Sequence, residues 1–451
     1  MPQKSEKREI SETCARRVPA LRFPEFAGST EGVSKGGASR VRDAAAVGLE
    51  WEEKIFGDVF SFKRTNSLSR DALHHDSGEI RNIHYGDIHT KFRTAFDISR
   101  EKVPFINNKT TSFAEDEFCQ EGDIVIADAS EDYKDIGKSV EVMNLGNEKV
   151  VAGLHTVLAR DERNTNAKGF AGYMMQTWNV RHQMMRLASG ISVLGLSKKS
   201  LSSIEVVLPK KEEQKKIAGF LGAVDEWIGI LREERDALAN YKRGMMQKLF
   251  SRTIRFKDDA GNDFPEWEEK KLGEILEESN ERTEKLNQFE ILSCSKDGIF
   301  RQSEYFKKQI ASEKNEGYRI LREGQLVFSP QNLWLGNLNV NIDYEVGMVS
   351  PSYKVFCIDS GIANVSFLKD FLRSPRMMHE YVQVSEQGAS IVRRNLDVSL
   401  FSSIKIVLPS LPEQKKIADF LTALDDLLAA KSDEIARAEE WKKGLMQKMF
   451  V

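Results

Sequence analysis

No apolar run in this 451-residue chain approaches the roughly 20 residues that a membrane-spanning helix requires. The N-terminal MPQKSEKREISE is charged and has no apolar stretch behind it, which argues against a secretory signal. Only four cysteines occur, Cys14, Cys119, Cys294 and Cys357, scattered and without a C-x-x-C pair. Neither a disulfide framework nor a zinc site is indicated, and a reducing cytoplasm fits best. The chain also lacks an excess of either charge: its formal net charge is −3. A protein that binds nucleic acid alone through a large surface usually carries a basic excess. Composition by itself therefore argues mildly against DNA, although an average over the chain can hide basic loops behind acidic helices.

Catalytic signatures are equally scarce. No G-x-G-x-x-G follows a strand-like run and no G-x-S-x-G elbow occurs. Gly137-Lys138-Ser139 has the Lys and Ser of a phosphate-binding loop, but Asp132 stands where that motif needs its earlier glycine. The N-P-P-[FYW] tetrapeptide of amino-methyltransferases is absent, and Ser329-Pro330-Gln331-Asn332 is only a superficial echo. His84 and His89 lie five apart without acidic or cysteine neighbours at metal-ligand spacing. His74 and His75 sit in a polar stretch that reads as a solvated loop. The chain is expected to be no enzyme by itself, with no metal or cofactor of its own.

What is present is a repeat. Residues 208–250 read LPKKEEQKKIAGFLGAVDEWI and close on YKRGMMQKLF; residues 408–450 read LPSLPEQKKIADFLTALDDLL and close on EWKKGLMQKMF. An offset of 200 residues holds throughout, and Glu213 to Ala218 is identical to Glu413 to Ala418. A duplication of this kind governs the reading of the whole architecture.

The repeated segments are helical on periodicity. Ile217, Leu221, Val224, Ile228, Leu231 and Leu238 fall on a four-three spacing, as do Ile417, Leu421, Leu424, Leu428 and Ile435. Arg235, Lys242, Lys431 and Lys442 interrupt it. A four-three spacing held this long is the seam of a coiled coil. Pro209 and Pro409 mark where the helices begin. About 40 helical residues span roughly 60 Å. Antiparallel pairing of the two seams would give a pseudo-two-fold arrangement in one chain. The alternative is that each amphipathic helix packs only on its own globule.

The segments ahead of the helices also carry traces of duplication. Trp51-Glu52-Glu53-Lys54 matches Trp267-Glu268-Glu269-Lys270, with Gly57 and Gly273 following at equal distance. Glu121-Gly122-Asp123-Ile124 matches Glu323-Gly324-Gln325-Leu326 as a turn entering an apolar strand. GIS at 190–192 matches GAS at 388–390, and the runs 204–208 and 404–408 precede the Leu-Pro dipeptides. Helix-like stretches lie near 170–188 and 365–383. These patterns predict an α+β chain with two mixed α/β globules and two long antiparallel coiled-coil helices. The expected divisions are a lead-in with a Gly/Ser/Ala-rich insertion over 1–48, a first globule over 49–208 and a first helix over 209–250. A linker over 251–266, a second globule over 267–408 and a second helix over 409–451 complete the chain. The lead-in motif RFPEF at 22–26 returns as RFKDD at 255–259.

Two places in each globule gather side chains suited to base edges and phosphates. After the first E-G turn come Ser130, Tyr133, Lys134 and Lys138; after the second come Gln331, Asn332, Trp334 and Asn337. Near the helices, the first globule has Ser192, Lys198 and Lys199, and the second has Ser390, Arg393, Arg394 and Asn395. Tyr85, Lys91 and Arg93 add to the first set. Residues of these types also fill ordinary surface loops.

The pattern L-P-x-x-x-E-Q-K-K-I-A-x-F-L with K-x-G-x-M-Q-K, present twice, resembles the specificity subunits of type I restriction-modification systems. That resemblance implies a non-catalytic DNA reader with two target recognition domains, one for each half of a split, asymmetric site. The helices would set the spacer and dock two modification (methyltransferase) subunits carrying S-adenosylmethionine. Restriction subunits using ATP and Mg would join them. The competing reading is a protein-only coiled-coil scaffold that presents two binding modules without touching DNA.

Overall fold

The two WEEK segments pair with the strands that lead into the Leu-Pro dipeptides, in the same register in both copies. Glu52–Ile55 runs antiparallel to Glu205–Leu208 with Glu52 opposite Leu208, and Glu268–Lys271 to Lys405–Leu408 with Glu268 opposite Leu408. The structure, a computed structural model, describes residues 18–27, 51–107, 112–305, 314–390 and 393–451. The insertion at 28–48 lies outside these residues. A Cβ at Gly57 would stand 2.8 Å from Ser202 Cβ, and one at Gly273 3.1 Å from Ser402 Cβ. The glycine that follows each WEEK thus lets the chain pass close to the short helices Lys198–Ser202 and Val398–Ser403.

The strand behind each E-G turn is the centre of a sheet. In the first globule the five-strand order is Ser61–Lys63, Thr156–Arg160, Ile124–Ala127, Ser139–Met143, Ala95–Asp97. All neighbours are antiparallel except the last pair. A four-stranded sheet of Lys149–Ala152, Ile80–Ile83, Phe105–Ile106 and Leu73–His74 accompanies it. The second globule has the order Leu276–Glu278, Lys354–Ile358, Leu326–Phe328, Leu338–Val340. Ile124–Ala127 and Leu326–Phe328 are buried at every position, as continuous apolar runs on an inner strand should be. Gly122 and Gly324 have φ of +94° and +78°, the left-handed region open to glycine. The helix-like stretches are each two helices. Phe170–Gln176 meets Trp178–Leu187 at an extended Thr177, and Val365–Phe371 is followed by Pro375–Gln383, whose N-cap is an extended Ser374.

The repeated segments form helices over Lys211–Phe250 and Leu411–Met449. Compact units do not follow the order globule, helix, globule, helix. One unit comprises residues 1–231 and 434–451, the other 232–433. Each therefore holds one globule, part of its own helix and part of the other copy's helix.

In the first unit the core runs from Trp51 through Phe170 and Tyr173 to Ile217 and Leu221, and includes Met449 and Phe450. The Phe450 ring lies 6.0 Å from Trp51 and 5.6 Å from Phe170. Val224, Ile228 and Leu231 form a separate seam cluster with Ile435 and Ala438. In the second unit Phe250 packs 5.9 Å and 5.4 Å from Phe367 and Phe371, in a core with Ile417, Leu421 and Leu424. Leu238 and Leu428 are half-buried. Both sequence expectations for the helices therefore operate: their first turns pack on a globule, and later turns pair in antiparallel fashion.

Three of the four polar interruptions in the seam bridge to the other helix. Lys442 Nζ lies 2.6 Å from Asp225, which also accepts a 2.7 Å hydrogen bond from the Tyr173 hydroxyl. Burial, reinforced by Asp225, pushes the Tyr173 pKa up. At the equivalent place in the second unit, Lys242 lies 2.6 Å from Asp425 and 3.5 Å from Asp370. Burial raises the Asp370 pKa against the pull of Lys242 and Lys369. Lys431 meets Glu234 at 3.1 Å. Arg235 instead pairs along its own helix with Asp236.

The identical Glu-Gln of both helices holds each globule and its lead-in. Arg22 donates to both oxygens of Glu213 at 2.6 Å, and Arg255 to those of Glu413 at 3.1 and 2.9 Å. Phe23 and Phe256 pack edge-on against Phe220 and Phe420. Gln214 accepts from Ala167 N and donates to Pro209 O; Gln414 accepts from Asn364 N and donates to Ile362 O and Pro409 O. All four Glu and Gln residues are buried, where an unpaired polar group would be strongly destabilising.

Phe450→Ala removes an aromatic ring from the first globule's core and is expected to destabilise that unit by about 3–5 kcal/mol. Hydrogen exchange should show the loss in residues 51–231, with protection of the second globule unchanged. Protection lost instead from residues 267–408 would contradict the packing described.

Candidate nucleic-acid interface

Folding brings the two flagged segments of each globule side by side. In the first, Leu194 and Gly195 pair antiparallel with Ser130 and Ala129. Ser189 and Gly195 exchange backbone hydrogen bonds of 3.0 and 2.7 Å, so residues 189–195 form a closed hairpin on the loop that follows the E-G strand. In the second, Ser385–Ser390 pairs with Arg393–Leu396, and Arg394 N donates to Gln331 O of the loop at 329–337. In both globules the hairpin is thus bonded to this loop, through a two-residue ladder in the first and one backbone hydrogen bond in the second.

The candidates differ in what they present. Tyr133 is 55 % exposed and Lys134, Ser192, Lys198 and Lys199 are exposed, although Lys198 Nζ also donates to Lys63 O. Lys138 is tied to Asp135 at 2.7 Å and to His89 O at 3.0 Å. Ser130 is buried, its hydroxyl bonded to Asp132 N and O, and so shapes the loop. Lys91 is exposed and pairs with buried Asp87, which also binds Arg70. Burial raises the Asp87 pKa, but these two cations outweigh it and hold it below its usual value. Arg93 lies against the first long helix, where a Cβ at Gly229 would come within 2.9 Å of its guanidinium. The structure does not bring Arg93 to the hairpin contact.

Tyr85 is half-buried among three imidazoles, its ring 4.7 Å from His84, 5.8 Å from His89 and 5.3 Å from His155. His89 reaches Ala129 O at 3.0 Å, which connects this cluster to the loop. Burial lowers the His84 pKa, helped by Arg70. Burial raises that of Asp128, opposed by His155 and Lys198.

In the second globule Gln331 is exposed, and Asn332, Trp334 and Asn337 are half-buried around the turn Leu333–Leu335. The Arg394 guanidinium lies 5.7 Å over the Trp334 ring and donates to Ser385 O at 3.2 Å. Trp334 Nε1, Asn337 Oδ1 and Arg394 Nε have no hydrogen-bond partner among the described residues. The backbone of Ser390, Arg393 and Asn395 is placed in the hairpin strands, while their side chains lie outside the described residues.

Sequence reasoning missed two exposed groups here. Ile191 stands at the hairpin tip and is 104 % exposed, and Trp178, 69 % exposed, stacks on His182 at 5.3 Å. An apolar residue between Gly190 and Ser192 was the available signal for the first. Among the described residues no group of three or more His, Cys, Asp or Glu could hold a metal, and no helix is long and apolar enough to cross a membrane.

Two unlike recognition loops mounted on two like frames define a duplicated binding protein. Comparison with known proteins identifies what kind. The family model for the type I restriction modification DNA specificity domain matches residues 49–240 and 265–440. The chain is 26 % identical over 353 residues to a putative type I restriction enzyme MjaX specificity subunit of Methanocaldococcus jannaschii, covering 72 % of this chain and 76 % of that protein. It is 27 % identical over 274 residues to the MjaVIII specificity subunit of the same organism, covering 57 % and 64 %. A solved structure described in terms of complex assembly and conformational transition of the type I R-M system aligns with a TM-score of 0.52 at 15 % identity, covering 89 % of this chain and 97 % of that one. The chain belongs to the type I restriction-modification specificity-subunit family. Its globules are two target recognition domains, and it is the non-catalytic DNA-recognition component of such a system.

Lys198→Ala with Lys199→Ala should weaken DNA binding about equally across sequences and flatten the slope of log K against log salt by roughly 2. A salt titration checks this. A changed base preference at the first half-site with an unchanged slope would contradict a phosphate-contacting role.

Proposed function

We propose that each target recognition domain reads one half of a bipartite, asymmetric DNA site, and that the paired helices fix the spacer between the halves. The observation carrying this reading is that in both globules a hairpin before the long helix is bonded through its backbone to the loop behind the E-G strand, while the side chains around that contact differ. Like frames would hold the two readers equivalently, and unlike loops would make the site asymmetric. Both relatives named above are restriction-enzyme specificity subunits, which favours DNA over a protein-only scaffold.

The helices would also dock two modification subunits. Exposed apolar side chains occur at positions related by the 200-residue offset: Trp227 and Trp441 in the first unit, Leu427 and Tyr241 in the second. Repeat-related apolar surfaces suit two copies of one partner. The modification subunits would carry S-adenosylmethionine and flip the target base from the stack, because the methylated atom cannot be reached inside the duplex. Restriction subunits using ATP and Mg would join them in the cytoplasm, where this chain itself would need no cofactor. Partner subunits that clamp the duplex would account for the chain's weak net charge.

Mapping methylated bases in DNA exposed to this chain and its modification subunits should reveal two unlike half-sites separated by a constant gap. Methylation without sequence preference would refute the assignment. Inserting seven residues into both helices adds about 10.5 Å to each, so the spacer should lengthen by roughly three base pairs. An unchanged spacer would exclude the helices as the ruler. Trp227→Ala with Trp441→Ala should leave an assembly with one modification subunit in place of two, measured by native mass spectrometry.

A further inference from the structure

We propose that Ile191 is a wedge that enters a base step of the first half-site, a role that rests on the DNA-reading function proposed above. No other large apolar side chain among the described residues is as exposed as this one, at 104 %. The side chain sits on a built support. Ser189 and Gly195 exchange backbone hydrogen bonds below it, and Leu194, almost fully buried, anchors the hairpin in the core. Gly190 has φ +137°, and a Cβ there would collide with Val193 O at 2.0 Å, so the turn that raises Ile191 depends on glycine. Val193 is also exposed, at 54 %, so the tip presents two apolar groups.

The surroundings favour nucleic acid as the occupant. Lys198 and Lys199 lie exposed a few residues after the hairpin, and Tyr133 and Lys134 on the loop to which it is paired. That loop is not uniformly basic, because Glu131 and Asp132 are exposed beside them. Attraction to phosphates therefore does not by itself explain why an isoleucine is held out in water here. Apolar side chains inserted between base steps partly unstack them and bend the duplex, which brings more protein surface onto the DNA. Ile191 has the size, exposure and rigid mounting for that role. In the second globule the matching GAS is followed by Ile391 and Val392, which lie outside the described residues.

The test uses the full chain assembled with its modification subunits and a duplex containing the mapped site. 2-Aminopurine is placed at successive positions of the first half-site, leaving out the methylated base, whose signal reports flipping by the partner. One step should brighten with the native chain and stay dark with Ile191→Ser, while Ile191→Leu keeps the signal. Affinity should fall about tenfold for Ile191→Ser, with second half-site preference intact. Ile191 touches no core, so the variant is expected to fold, and its thermal unfolding would be checked. Undiminished brightening and affinity in Ile191→Ser would overturn the wedge while leaving half-site reading in place. Failure of that variant to assemble with modification subunits would make the tip a protein contact and also overturn it. Absence of sequence-dependent binding by the native complex would remove the DNA reading and the wedge together.

Discussion

An apolar seam repeating every three and four residues along a 40-residue helix cannot be buried by one small globule alone. In this chain the early turns of each helix lie on a globule, and the seam residues beyond them meet the other helix. The antiparallel direction carries the consequences. It brings Met449 and Phe450 into the first globule's core and Leu249 and Phe250 into the second's. Each globule is therefore completed by residues that the sequence assigns to the other copy. Lys442 with Asp225 and Lys242 with Asp425 set the alignment, since sliding either helix by one turn would leave these charges unpaired in partly dry surroundings.

The same constraint separates what is repeated from what is free to change. Glu213 and Glu413 each accept a lead-in arginine, and Gln214 and Gln414 each satisfy backbone groups on either side of the helix start. Those roles admit few other side chains, because each group is buried. Ile136 and Leu194 tie the first loop and hairpin to the core, and Leu333 ties the second loop, so only the exposed positions are free of the frame. Tyr133 in the loop of one globule and Gln331 in the loop of the other are both exposed, and can differ without disturbing the frame.

Much of the frame was legible in sequence, because periodicity and repetition are local signals. The helix bounds expected from Pro209 and Pro409 differ by two residues from the observed starts at Lys211 and Leu411. The WEEK strands and the E-G turns were likewise visible. Less legible was the state of individual side chains. Ser130 looks like a base-contacting hydroxyl by type, yet it is bonded within its own turn; Arg93 looks like a phosphate contact, yet it lies on a helix more than a hundred residues away. Such partners are distant in the chain or hidden by burial, and residue type records neither.

By itself, then, the sequence determined that two like units exist and that their helices carry pairing seams. Only the tertiary structure decided that the end of each helix completes the other copy's globule, because antiparallel pairing alone does not say which core takes up Met449 and Phe450 or Leu249 and Phe250. It also decided that Ile191 stands in solvent. Apolarity alone predicts burial; the left-handed turn at Gly190 and the hydrogen bonds beneath the tip keep this side chain outside the core.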